Sequence, residues 1–215
     1  MANTFKFGNG KWAVGKDTVL AYNDENSNFK PLPFTFDRAS TATVVNKDGL
    51  IETVGVDEPR IDFLNNTSGH LLLEPSRTNV IVRSEEFNTW STASGTTVST
   101  NQSISPDGNQ TADLVQADGT NAFSRIYNNI SLTSGNNYVY SVFVKKSGSH
   151  DFASIRLQGT DVGGAGQSGS TYTFTFSTET LSYEGGGTAT STFVEDYGNG
   201  WYRIGIELSN STITS

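Results

Sequence analysis

TYTFTFST, residues 171–178, alternates ring and hydroxyl side chains, with Tyr172, Phe174 and Phe176 on one parity and threonines on the other. A period of two marks a strand with one buried and one wet face, because successive side chains leave the pleat on opposite sides. WYRIGIEL, residues 201–208, repeats the pattern, setting Tyr202, Ile204, Ile206 and Leu208 against Arg203 and Glu207. ASIRLQG, residues 153–159, sets Ala153, Ile155 and Leu157 against Ser154, Arg156 and Gln158. YVYSVFVKK, residues 138–146, is apolar on both parities and reads as a central strand covered on both faces. Helical spacing is nearly absent. The set predicts an all-β fold in which two sheets bury their apolar faces against each other.

Turn chemistry separates these runs: Asp48-Gly49, Pro106-Asp107-Gly108, Ser134-Gly135-Asn136, Gly185-Gly186-Gly187 and Asn199-Gly200. Strands separated at such regular, glycine-bearing intervals fit a jelly-roll β-sandwich, expected over residues 80–215. Residues 1–79 read as an extended N-terminal arm rich in Pro and Asn. The arm carries one hairpin, Ala42 to Val45 returning through Asp48-Gly49 as Leu50 to Val54. Its apolar residues are too sparse for a core of its own, so it needs a partner. In LLLEPSRTNVIVRSEEFNTW, residues 71–90, Leu71 to Leu73 reads as the arm's last strand. Glu74 to Asn79 is then the bend into the sandwich, because Pro75 has no amide hydrogen and pushes Glu74 away from helix.

Composition narrows the partners. The 215-residue chain has a formal net charge of −8, whereas nucleic-acid binding rests on Lys and Arg neutralising phosphates. No cysteine is present, which removes disulfides and thiolate chemistry. No apolar run is long enough to cross a membrane, and MANTFKFGNGKWAVGK has no apolar signal core, so the expectation is synthesis in the cytoplasm without membrane insertion. The share of aromatic residues, 11%, is too high for a disordered chain.

Five stretches in order resemble a known family. FTFDRASTATVVNKDGLIETVGVDEPRIDF, LLLEPSRTNVIVRSEEFNTW, SISPDGNQTADLV, NNYVYSVFVKKSG and DYGNGWYRI are similar to a module of bacteriophage tail-fibre, head-fibre and other virion-appendage proteins. The resemblance implies an arm attached to the particle, followed by a sandwich like that of carbohydrate-binding modules with a galactose-binding-like jelly roll. It also implies homotrimers, other virion proteins and host surface polysaccharide as partners, and a structural rather than enzymatic role, with two alternatives: a carbohydrate-binding module of a host-polysaccharide-recognising or depolymerising protein, and a capsid decoration protein. Family members continue into further signature strands that have no counterpart after Leu208, so either the native fibre extends further, the favoured expectation, or the sandwich closes differently.

Catalytic motifs find little support. GAGQSG, residues 164–169, matches a dinucleotide fingerprint but leads into a strand rather than the required helix. His70 and His150 stand far apart without further ligands at metal-site spacing. Glu85-Glu86 and Glu195-Asp196 are adjacent on extended chain and point to opposite faces, which suits no paired acid and base. No cofactor is expected. Among the aromatics, Trp90, Tyr127, Tyr183, Tyr197 and Trp201 are candidates to stack on sugar rings. Arg125, Arg156 and Gln158 are candidates to bond sugar hydroxyls. Trp90, Arg125, Tyr127, Arg156 and Gln158 form the candidate carbohydrate-binding set, against the commoner use of sandwich aromatics as core.

Overall fold

The computed structural model describes residues 12–15, 18–23, 28–31, 36–119, 124–133, 136–157, 170–186 and 189–208. Its chain falls into two compact units, Met1–Asn79 with Asn101–Ala112, and Val80–Thr100 with Asp113–Ser215. The stretch 101–112, expected in the sandwich, therefore belongs with the first unit.

The first unit is a set of small antiparallel sheets. Strands β1 (Trp12–Gly15), β2 (Thr18–Asn23) and β3 (Asn28–Pro31) pair in sequence order. This meander escaped the sequence reading, which expected one hairpin, because strands of four to six residues are too short for a period of two to stand out. The expected hairpin is present as β4 (Ala42–Val45) and β5 (Ile51–Val54), with Ala42 opposite Val54 and Val45 opposite Ile51. Asn46 builds its turn: the side-chain oxygen accepts from the amides of Asp48 and Leu50, both at 3.0 Å, and Gly49 takes the positive φ of 78° that the turn requires.

A two-residue pair, β6 (Ile61–Asp62) with β7 (His70–Leu71), packs beside this hairpin. The buried carboxylate of Asp62 joins them, accepting from the amides of Val45 at 2.7 Å and Leu64 at 3.0 Å. Arg38 closes the other end, its Nη2 donating to the Glu58 carbonyl at 2.9 Å and its amide to Asp57 Oδ1 at 3.1 Å. The tip of residues 101–112 rests on the same hairpin: the Ile51 amide donates to the Pro106 carbonyl at 2.9 Å, and Leu50 lies against Gly108. Asp107 braces that tip, its carboxyl held below the ordinary value of 3.8 chiefly by the Ser105 hydroxyl and the Asn109 side chain.

The second unit adds a short ladder of β8 (Ser91–Thr92) with β11 (Ile126–Tyr127), and β9 (Thr96–Ser103) pairs with β10 (Ala112–Ala117) in the hairpin whose tip has just been described. Six longer strands follow: β12 (Tyr138–Lys145), β13 (Phe152–Leu157), β14 (Ser170–Thr175), β15 (Thr180–Gly185), β16 (Ser191–Gly198) and β17 (Trp201–Leu208). They form two three-stranded antiparallel sheets, ordered β12-β17-β16 and β13-β14-β15. The chain changes sheet between β12 and β13 and returns between β15 and β16.

The alternating residues face one another across these sheets. Ile155, Tyr172, Phe174, Ile204 and Ile206 form the buried cluster, with Tyr140, Val142, Leu157, Phe176, Leu181, Val194 and Tyr202 packed around it. Each fully buried ring or branched chain contributes about 1.5–3 kcal/mol of transfer free energy. The fold is thus all-β and sandwich-like, with small, open sheets. The 138–146 strand departs from expectation: β12 is hydrogen-bonded to β17 alone among the described residues, and β17 takes the centre. Among the described residues, no third sheet covers its second apolar parity. It lies in a row of aromatics on the outer face, where Phe143 meets Tyr197 edge to face at 4.9 Å.

Candidate functional site

Arg125 and Tyr127 stand two residues apart on and beside β11, which places them on one face. The backbone there is fixed from both sides. The Arg125 amide donates to the buried Thr96 hydroxyl at 2.9 Å, and its carbonyl accepts from the Ala93 amide at 2.9 Å. Tyr127 lies opposite Ser91 and Ile126 opposite Thr92. With the main chain so held, the guanidinium carbon sits 5.7 Å from the centre of the Tyr127 ring, which stays 41% exposed. A ring with a cation above it and a free edge offers an apolar face beside hydrogen-bond donors, the combination that a pyranose uses.

Trp90 is near in the chain but serves its own turn. Its indole N–H donates to the Arg83 carbonyl at 3.2 Å, and its ring meets Phe87 edge to face at 5.1 Å. Since Ser91 shares a side with Tyr127, the extended Trp90 points to the other side of the ladder. Arg156 lies on the outer parity of β13 with Ser154, across from Thr171 and Thr173, where the Ser154 and Thr173 hydroxyls bond at 2.8 Å. No hydrogen bond or ring contact joins it to the Arg125 pair among the described residues. Gln158 and GAGQSG lie outside the described residues. The structure therefore brings together two of the five candidates.

A larger cluster went unread in the sequence. On the outer face of the β12-β17-β16 sheet, Arg203 lies 5.3 Å above the Phe193 ring, donates to Glu195 Oε2 at 3.3 Å and reaches the Ser141 hydroxyl at 3.2 Å. Tyr197 and Phe143 flank it, while Trp201 is buried with Lys145 over its ring at 5.8 Å. The signal was available in STFVEDYG, where Phe193, Glu195 and Tyr197 share a parity. Reading β12 as doubly covered hid the face that these residues line.

The remaining titratable groups serve local structure. Glu195 pairs with Arg203, and Asp196 accepts from the Gly198 amide at 2.7 Å to close the β16–β17 turn. Glu86 faces Arg83 at 3.5 Å, His70 Nε2 is 4.0 Å from Asp62, and His150 meets the Phe152 ring at 6.2 Å. Among the described residues no three His, Cys, Asp or Glu side chains are grouped to hold a metal ion. Compared with family models, curated proteins and solved structures, the chain matches none.

Proposed function

We propose that this chain is a non-enzymatic structural component of a bacteriophage virion appendage, a tail or head fibre. Residues 1–79 anchor it to a particle protein and intertwine in a homotrimer. The second unit, Val80–Thr100 with Asp113–Ser215, completes a galactose-binding-like jelly roll that projects outward. The observation that carries this reading is how few hydrophobics are buried among the described residues around β4 to β7 of the first unit. Its buried hydrophobics among the described residues are Val44, Val45 and Ile61, while Val56 and Ile104 stay 46% and 49% exposed. Two-stranded sheets such as β4-β5 and β6-β7, with so few buried hydrophobics among the described residues, are marginal alone and gain stability by burying such residues against other chains. Light scattering on the purified protein tests the assembly: a stable folded monomer at micromolar concentration contradicts it.

A second property of the same protein follows from the exposed Arg125–Tyr127 pair, which suits neutral sugars of a host surface polysaccharide. Binding to purified host polysaccharide that is lost in both Arg125→Ala and Tyr127→Ala supports it. Equal binding by these variants, or none by the parent chain, removes it while leaving the anchoring role in place.

A further inference from the structure

We infer that the Arg77–Thr78 peptide bond is a processing site for an endoprotease that prefers a basic residue before the cut, and that the nicked chain stays in one piece. A protease needs several consecutive residues in extended form and accessible, so nicking concentrates in polar segments without ladder hydrogen bonds. Residues 72–80 form no strand, turn or helix, and 73–80 are all exposed. The stretch is moored at its start by the Leu72 amide on the Arg60 carbonyl at 2.9 Å and by Glu74 on Arg60 at 2.7 Å. Beyond that mooring, Ser76-Arg77-Thr78 is polar around a single cation.

The other described cations are poorer sites. Lys30, Lys145, Arg156 and Arg203 lie in strands, and Lys47 sits in the tight turn after β4. Arg38 and Arg60 are held by hydrogen bonds to Glu58 and Glu74, and Arg125 is fixed on both sides by its amide on Thr96 and its carbonyl on the Ala93 amide. Arg83 has φ +61°, with its carbonyl accepting from Glu86 and Trp90. Lys146 is paired with Asp151 at 2.8 Å. Hydrolysis adds one water across the bond, leaving a carboxylate on Arg77 and an ammonium on Thr78. The products, 1–77 and 78–215, remain joined because the 101–112 tip of the second fragment belongs to the first unit, through Ile51 on Pro106 and Leu50 on Gly108.

The test is brief exposure of the native full-length chain to trypsin, read by intact mass, with sizing under native conditions. The expected first cut within residues 36–208 is at Arg77, the two fragments co-elute, and Arg77→Gln slows cutting in that span about tenfold or more. A first cut at Arg83, Lys146 or any other site in the span overturns the assignment, as does an unchanged rate in Arg77→Gln. Fragments that separate on native sizing overturn the retention.

Discussion

The ring of Phe193 lies on the main chain of Gly205 in the neighbouring strand, so close that a Cβ at Gly205 would overlap ring carbons. The glycine leaves a hollow in the outer face of β17, and the ring fills it while carrying Arg203 on its other flank. Gly205→Ala is therefore expected to destabilise the protein by about 1–3 kcal/mol through overpacking. Phe193→Leu in the same chain should recover part of that loss. Urea unfolding of the two single variants and the double variant measures the coupling.

Ile204 and Ile206 sit fully buried between the two three-stranded sheets. Ile204→Ala removes one fully buried side chain of this shared core and is expected to cost about 2–5 kcal/mol, seen as a lower urea midpoint at unchanged slope. A cost below about 1 kcal/mol would mean that the two sheets do not share a core.

Asp62 offers a local test in the first unit. Its carboxylate satisfies the amides of Val45 and Leu64, and Asp62→Ala leaves both without that acceptor. The expected loss is about 1–3 kcal/mol, with faster hydrogen exchange at Val45 and Leu64. Unchanged exchange at both amides would contradict the role given to Asp62.

Asp151 gives the pH dependence its sign. Its carboxyl is held below the ordinary 3.8, first by Lys146 and then by the Ser177 hydroxyl. A depressed carboxylate stabilises the native state above its unfolded value, and that contribution fades as pH falls through the folded value. The parent chain should thus melt above Asp151→Asn at neutral pH, and the gap should close as the pH falls below the ordinary value of 3.8. A gap that widens on acidification contradicts this assignment.

Particular residues show how much of this was legible in the sequence. Tyr172, Phe174, Ile155, Ile204 and Ile206 announced both their faces and their shared core, because period-two burial is written directly into strands of six to eight residues. Asp48-Gly49 likewise announced its hairpin. Strand order stayed hidden: whether Tyr138–Lys145 or Trp201–Leu208 holds the middle depends on pairing between distant segments, which local pattern does not encode. The short β1-β2-β3 meander lacked the length for a pattern. At the candidate site, Arg125 and Tyr127 were readable as neighbours, but Trp90's bond to Arg83 and Arg203's place over Phe193 arise from turn geometry and cross-strand register.

The proposed anchoring role is tested most directly by a cryo-electron microscopy map of the phage particles in which this protein is expected, with symmetry relaxed around the appendages. The account predicts three copies whose first 79 residues lie against a portal, tail or capsid protein. A first unit that touches no particle protein would contradict it.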